Sequence, residues 1–390
     1  MKNKIAIASA FLAAASFSTA EIVINDFLSF EGFVDMSYSH TDNDTDSRTN
    51  AFDSDESDNN YAVDQVEISW LFDFDPVTAQ IDLQYEGDSN EGDDEDGELV
   101  EQAFVTYHFA GEHEGVAITA GRYASMLGFE AFEPTGLYQY SLAYDINRLD
   151  FDALPGDSEV VTDVSIIPGY AQGVKLTHEG DTTFFGISLQ DEIFDNDGDR
   201  LNGDNDASYG IEAAASIMID NGITLFLGGA YEDADAGDSY VINAYATLET
   251  GAWLFAAELN YGESESNAFT IGQVANTVGF GIDDVLGVNN VIDDEEVLQA
   301  LLMANFAYSE QASVTGRVSY GDHVFKNGSG NRDATLEFTK VTLAHNYAFT
   351  DNLLLVTEVS FIDGETEGDT VNDDADIESF IAAVELLFTF

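Results

Sequence analysis

Residues 77–86 alternate between apolar and polar side chains without exception, and this run constrains the fold more than any other feature. It reads VTAQIDLQYE. Successive side chains of a β-strand point to opposite faces, whereas a helix would scatter a period of two around its whole circumference. The run therefore predicts a strand with one apolar face and one polar face.

The same alternation recurs along most of the chain and predicts about sixteen strands. Clear examples are residues 28–38, 65–74, 170–178, 182–190, 223–231 and 377–390. Strands of about ten residues have the length needed to cross a bilayer at a tilt. One change of parity, between Phe338 and Val341, predicts a β-bulge.

The connections between these strands alternate between tight turns and long acidic tracts. Asp75-Pro76 and residues 220–222 are tight, whereas residues 41–60, 191–206 and 262–294 are long and acidic. Outer-membrane barrels have short periplasmic turns and longer outside loops. Both chain ends fall on the side of the tight turns, as an even number of strands requires. The sequence therefore predicts an all-β fold, a transmembrane antiparallel up-and-down β-barrel.

Residues 1–20 have the composition of a secretory signal peptide. Lys2 and Lys4 precede an apolar run, and the small residues Ser18 and Ala20 follow it. The run is too short to span a membrane as a helix, so cleavage after Ala20 is expected. Residues 21–390 are then expected to form a single barrel domain.

Charge and composition exclude several classes of protein. The chain carries 75 acidic and 11 basic residues, a formal charge of −64, and it has no cysteine. Such a surface does not bind nucleic acid, and no disulfide or thiol chemistry is available. The apolar content of 45% is ordinary for a folded protein, which argues against a disordered chain.

The width of the predicted barrel decides which face meets lipid. A barrel of about sixteen strands encloses a lumen that side chains cannot fill. We therefore expect the apolar faces to contact lipid and the polar faces to contact water. The alternative is a pair of soluble β-sandwich domains, in which the apolar faces would pack against one another.

The last strand and two internal words resemble a known class of protein. Residues 380–390 end in Phe390 on the apolar parity, and the words are GRYASMLGFEAFEP (residues 121–134) and YQYSLAYD (residues 138–145). The chain resembles Gram-negative outer-membrane porins, and the two words resemble OmpL-like β-barrel porins. This resemblance implies a homotrimer in the cell outer membrane, surrounded by lipid, with the third loop folded into the lumen. No PEFGG-like word is present, so constriction residues of enterobacterial porins are not transferred.

Residues 123–169, called the long segment below, occupy the third-loop position by strand count. We expect this segment to fold into the lumen and narrow the pore, because it mixes aromatic side chains with spaced carboxylates. Fixed charge acts most strongly on ions where a pore is narrow. The candidate constriction residues are Glu130, Glu133, Asp145, Asp150 and Asp152, with Arg122 and Arg148, and the candidate wall residues are Lys175, Arg317 and Lys340. Each acid is either a constriction charge or a solvated loop carboxylate, and bracing of the loop is the favoured role for both arginines.

The sequence predicts a water-filled channel for passive diffusion of ions and small hydrophilic solutes, with a preference for cations. One alternative is a selective channel, for example for sugars bound at Tyr138, Tyr140 or Tyr144. A second is a closed structural or adhesive barrel that acts through its acidic loops. Acidic clusters such as residues 93–96 and 293–296 either hold divalent ions weakly or are simply solvated.

The histidines are scattered, and no HExxH or GxSxG word occurs near them. We therefore predict no enzyme activity, no catalytic residue, no cofactor and no dedicated metal site. A barrel hydrolase assembled from distant strands stays an alternative.

Overall fold

The computed structural model of the protein consists almost entirely of β-strands. It describes residues 21–47, 54–86, 100–110, 115–146, 149–150, 159–160, 164–194, 209–219, 221–234, 237–265, 269, 292–327, 333–367 and 374–390. Within these ranges, no helix has the length and apolar character needed to cross a membrane. The predicted signal peptide lies outside the described residues.

The strands are numbered in chain order. They are β1 (Ile22–Asn25), β2 (Leu28–Ser47), β3 (Ser54–Asp73), β4 (Val77–Glu86), β5 (Val100–His108), β6 (Gly115–Ala124), β7 (Leu149–Asp150), β8 (Glu159–Val160), β9 (Tyr170–Glu179), β10 (Thr183–Gln190), β11 (Tyr209–Ile219), β12 (Ile223–Ala234), β13 (Gly237–Thr250), β14 (Trp253–Ser264), β15 (Ile292–Ala307), β16 (Ala312–Asn327), β17 (Ala334–Thr350), β18 (Leu353–Glu367) and β19 (Ala375–Thr389). A short 3₁₀ helix, Pro134–Gly136, lies in the long segment.

Sixteen of these strands, β2–β6 and β9–β19, form one closed antiparallel barrel. Each strand pairs with its neighbour in the chain, and β19 pairs with β2 to close the ring. At this seam the amide nitrogen of Gly32 donates to the carbonyl oxygen of Phe390, and Phe390 donates in return, both at 2.9 Å. The predicted all-β barrel is therefore confirmed, and the start of β2 and the end of β19 lie on the side of the tight turns.

The outward face of the barrel is apolar, as strand β10 illustrates. Phe185, Ile187 and Leu189 are 52%, 40% and 61% exposed, whereas Ser188 and Gln190 between and after them are buried. In a closed barrel the exposed parity faces outward, so these apolar side chains are placed to contact lipid.

The predicted bulge between Phe338 and Val341 is wrong. Strand β17 pairs without interruption with both β16 and β18 through this region, so the alternation of faces continues. Leu336, Phe338 and Lys340 lie on the same parity of β17. All three side chains point inward and are fully buried. The hydrophobic pattern changes parity here because the wall faces an apolar cluster inside the barrel.

This interior cluster corrects the expectation that the inward faces are polar throughout. Side chains from strands β14–β19 pack against aromatic and aliphatic side chains of the long segment. The wall members include Leu301, Met303, Phe325, Leu336, Phe338, Ile362, Ile377 and Ile381, and the segment members include Phe129, Tyr138, Tyr144 and Ile146. One side of the lumen is therefore filled by packed apolar side chains.

Candidate pore constriction

The long segment leaves the wall at the end of β6, and the chain returns to the wall at β9. Its irregular backbone has amide groups that no strand partner can satisfy, and buried amides need acceptors. Inward-facing carboxylates of the wall supply them: Met126 N donates to Glu212 at 2.6 Å, and Phe129 N donates to Glu258 at 2.7 Å. Hydrogen bonds to a charged acceptor are the stronger kind, so these contacts hold the segment in a fixed position.

Contacts to opposite sides of the barrel give the position of the long segment. Gln65 on β3 donates to Glu133 at 3.0 Å, and Asn243 on β13 accepts from Gly128 N at 3.1 Å. Strands β3 and β13 are separated by seven strands in either direction around the ring. A segment bonded to both therefore extends between opposite sides of the ring.

Two inward-facing glycines make room for the start of the long segment. A Cβ atom at Gly186 would lie 2.3 Å from the sulfur of Met126, and one at Gly228 would lie 2.4 Å from Cδ2 of Leu127. Contacts this short require at least the Met126 and Leu127 side chains to move. The absence of a side chain at both wall positions therefore allows close packing.

Arg317 and Lys340 attach the middle of the long segment to strands β16 and β17. Nη1 of Arg317 lies 2.5 Å from Oε1 of Glu130, and its Nη2 donates to the carbonyl oxygen of Leu142 at 3.0 Å. Nζ of Lys340 donates to the carbonyl oxygens of Leu142 and Asp145, at 2.9 and 2.7 Å. Both cations are buried. The Arg317 and Lys340 side chains therefore contact the long segment directly rather than facing it across water.

Glu358 on β18 completes this attachment. Its Oε2 accepts from the amide nitrogens of Tyr140 and Ser141 at 2.8 and 3.1 Å, and its Oε1 accepts from the Ser141 hydroxyl at 2.5 Å. Oε2 of Glu130 in turn accepts from Ala143 N at 2.7 Å. The turn around Ser141 is thereby held by two carboxylates.

The other candidate cations are also in contact with neighbouring groups. Lys175 is buried, with its Nζ 4.2 Å from the ring centroid of Tyr123. Arg122 is buried too; its Nε donates to the carbonyl oxygen of Glu101 at 2.8 Å, and its guanidinium lies 5.8 Å from the ring centroid of Tyr170. Arg122 therefore has contacts that suit a bracing residue.

The structure describes some of the remaining candidate residues and not others. Glu133 and Asp145 are half-buried in the segment. Asp150 lies on the short strand β7, which pairs with β8. Asp152 and Arg148 lie outside the described residues.

The three candidate sugar-binding tyrosines are packed against the wall. Tyr138 and Tyr144 are buried within the interior apolar cluster, and the Tyr140 hydroxyl lies 3.2 Å from Ser37 Oγ. Burial raises the pKa of the Tyr138 and Tyr140 hydroxyls above their ordinary value, so both are neutral at physiological pH. The buried rings of Tyr138 and Tyr144 are therefore poorly placed to stack on a sugar, whereas the Tyr140 ring is half-buried.

Sequence reasoning missed the wall carboxylates Glu212, Glu258 and Glu358. Each lies on the polar parity of its strand and was indistinguishable from a water-facing acid. The one available signal was a solitary glutamate among small or apolar neighbours, as in GIEAAAS around Glu212.

The family comparison is decisive for the class of protein. A family model described as "Putative beta-barrel porin-2, OmpL-like" matches residues 28–148 and 161–390. The chain belongs to this family. The match confirms the sequence resemblance and the assignment to the Gram-negative outer membrane, and it identifies the protein as a porin-type barrel.

Solved porin-like barrels share the fold at low sequence identity. OmpT of Vibrio cholerae has a TM-score of 0.55 at 10% identity, with 95% of this chain and 100% of that chain covered. The outer-membrane channel DcaP of Acinetobacter baumannii has 0.56 at 12%, with 93% and 97% covered. An anion-selective porin from Comamonas acidovorans has 0.55 at 11%, with 93% and 99% covered. No curated protein sequence matches the chain.

Proposed function

We propose that this porin is a water-filled channel for passive diffusion of ions and small hydrophilic solutes, with residues 123–169 as its constriction. The observation that carries the proposal is the pair of contacts to opposite walls, from Glu133 to Gln65 and from Gly128 to Asn243. A segment that crosses the lumen divides it and leaves a narrower passage beside itself. Transport through such a passage needs no catalytic residue and no cofactor, so we assign no enzyme activity.

We propose that the channel prefers cations. The chain carries 75 acidic residues and 11 basic ones, so few cations are available to face the passage. The wall cations Arg317 and Lys340 are instead engaged by the long segment. We propose that the charge facing water in the passage is negative, and such charge lowers the energy of cations more than that of anions.

The candidate constriction residues divide into two roles. Arg317 and Lys340, with Glu130, hold the segment in place, and we assign Arg122 and Lys175 to bracing as well. Asp145, which is less buried, carries the field that acts on passing ions, whereas Glu133, which is also less buried, accepts from Gln65 where the segment contacts β3. Asp150, Asp152 and Arg148 are proposed to contribute to the same field.

We propose that the partners of the barrel are outer-membrane lipid at its outward apolar faces and two further copies of the chain. One solved structure of Vibrio cholerae OmpT is described as a trimer form, at 10% identity and a TM-score of 0.52. Crosslinking of the protein in native membranes would test the homotrimer.

Planar-bilayer recording tests the proposed function. Addition of the folded protein should produce stepwise, steady currents, and heat-unfolded protein from the same preparation should not. In a KCl gradient, the dilute side should become positive at zero current, because potassium crosses faster than chloride. A barrel that passes no steady current would be a closed structural barrel, and a negative dilute side would refute the cation preference.

A further inference from the structure

Three carboxylates from the wall and the long segment meet on the side of the lumen formed by β3–β5. They belong to Glu67 on β3, Glu101 on β5 and Glu133 in the segment, and one oxygen of each lies within 4.8 Å of the others. Glu101 is the extra residue of a bulge in β5, since Asp82 pairs with Gln102 and Leu83 pairs with Val100. The bulge changes the direction of the Glu101 side chain relative to a regular strand.

Two oxygen atoms of this cluster are buried without a donor. Glu67 and Glu101 are 6% and 3% exposed, and Oε2 of each makes no hydrogen bond to any residue that the structure describes. The other contacts are few: Ser69 donates to Oε1 of Glu67 at 2.8 Å, and Glu133 accepts from Tyr170 at Oε1 and from Gln65 at Oε2, at 2.9 and 3.0 Å. A buried carboxylate oxygen without a partner is energetically costly, so these two atoms indicate a missing positive group.

The described protein supplies no cation to this cluster. The ion pairs of the described residues include none to Glu67, Glu101 or Glu133. A fourth carboxylate, Asp82, is fully buried on the adjacent strand, where it pairs with Ser69 and accepts from Gln102 Nε2 at 2.7 Å. Carboxylates of the wall and of the segment therefore repel one another at a point where the segment contacts the wall.

We propose that Glu67, Glu101 and Glu133 bind a divalent cation that joins the long segment to the wall. Three carboxylates can provide up to six oxygen ligands, and a site with oxygen ligands alone suits Ca²⁺ or Mg²⁺. Ca²⁺ is expected to bind more tightly, because it accepts irregular geometry while Mg²⁺ requires a near-ideal octahedron. The bound ion then attaches the segment at β3–β5 as Arg317 and Lys340 attach it at β16 and β17.

This inference goes beyond the proposed channel and can fail separately from it. Ion binding is measured on the folded protein in detergent, where no current is recorded. Absence of a bilayer current would therefore not contradict the metal site, and absence of the metal site would not contradict the channel.

Calcium titration calorimetry and terbium luminescence test the proposal with the full folded chain. The protein is stripped with a chelator and titrated with Ca²⁺, Mg²⁺ or Tb³⁺ at about 0.15 M NaCl, where exposed charges are screened beyond about 8 Å. Tyr170 donates to Glu133, so excitation of tyrosine should sensitise terbium bound at this site. The variants are Glu67→Gln and Glu101→Gln, and the matched controls are Glu365→Gln and Glu378→Gln, whose side chains are exposed.

The expected result is one tight site in the unmodified protein that both control variants keep. Removal of a ligand in Glu67→Gln or Glu101→Gln should weaken binding by at least about tenfold. If either strand variant fails to fold, as shown by loss of heat-modifiable migration on SDS gels, Glu133→Gln tests the same site from the segment. Terbium decay rates in H₂O and D₂O should show few coordinated waters.

Three results would overturn the site. They are the absence of a tight site in the unmodified protein, unchanged binding in both Glu67→Gln and Glu101→Gln, and a terbium ion that keeps most of its water ligands. The first of these would mean that shared protons compensate the carboxylates in place of a metal.

Discussion

Nη1 of Arg317 and Oε1 of Glu130 form a 2.5 Å ion pair inside the barrel, with side chains that are 0% and 12% exposed. The pair joins strand β16 to the long segment. A buried pair of this kind adds little net stability over an apolar pair, because both ions lose their water. Removal of one partner is different, since it leaves the other charge buried without compensation.

The Arg317→Gln substitution should therefore weaken the attachment of the segment by about 3–5 kcal/mol, as for other broken buried pairs. The double substitution with Glu130→Gln should cost less than the sum of the two single ones. Reversible folding into lipid vesicles, followed by tryptophan fluorescence, measures each free energy of unfolding. Strictly additive losses would show that the two side chains act independently.

Glu358→Gln and Glu212→Gln should loosen different parts of the long segment. Glu358 accepts from the amides of Tyr140 and Ser141, and Glu212 accepts from that of Met126. Loss of a charged acceptor is expected to cost about 1.5–3 kcal/mol per hydrogen bond. Hydrogen–deuterium exchange should accelerate at the Tyr140 and Ser141 amides in the first variant and at the Met126 amide in the second. Each variant is the control for the other, and equal acceleration at all three amides would contradict separate attachment.

Much of the barrel was predictable because a period of two assigns faces from the sequence alone. Val77, Ala79 and Ile81 alternate with polar residues whatever surrounds the strand, so the strand and its two faces follow directly. Lys175 and Arg317 were placed on inward faces by the same reasoning, whereas Lys340 was placed there only by way of the mistaken bulge. Phe390 on the apolar parity, with the two internal motifs at residues 121–134 and 138–145, led to the class of protein.

The attachment of the long segment was not predictable in the same way. Ser141 and Glu358 are 217 positions apart, and no local pattern links a loop serine to a wall glutamate. Leu336 and Phe338 look like lipid-facing residues in sequence, and only the presence of a packed segment makes an inward position favourable. A bulge in β17 was predicted by mistake because Leu336 and Phe338 were interpreted as lipid-facing although Val341 lies on the opposite parity.

Enlargement of the two inward glycines should displace the segment. In Gly186→Leu and Gly228→Leu, the new side chains would occupy the positions of Met126 and Leu127. Overpacking of this kind typically costs about 1–3 kcal/mol of stability. We expect noisier open-channel currents, because the start of the segment is no longer held in one position. The control is Gly316→Leu, where a Cβ atom meets nothing within 4 Å. Quiet currents in both inward variants would show that the segment does not depend on this packing.

The cation preference should decrease as the salt concentration rises. The screening length falls from about 10 Å at 0.1 M to about 3 Å at 1 M salt. Charges that act on ions across water, as proposed for Asp145, lose most of their effect over this range. Reversal potentials measured at the same concentration ratio should therefore shrink toward zero as both solutions are concentrated. A potential that stays constant would instead place the selective charges in direct contact with the permeating ion, where screening by mobile ions does not reach.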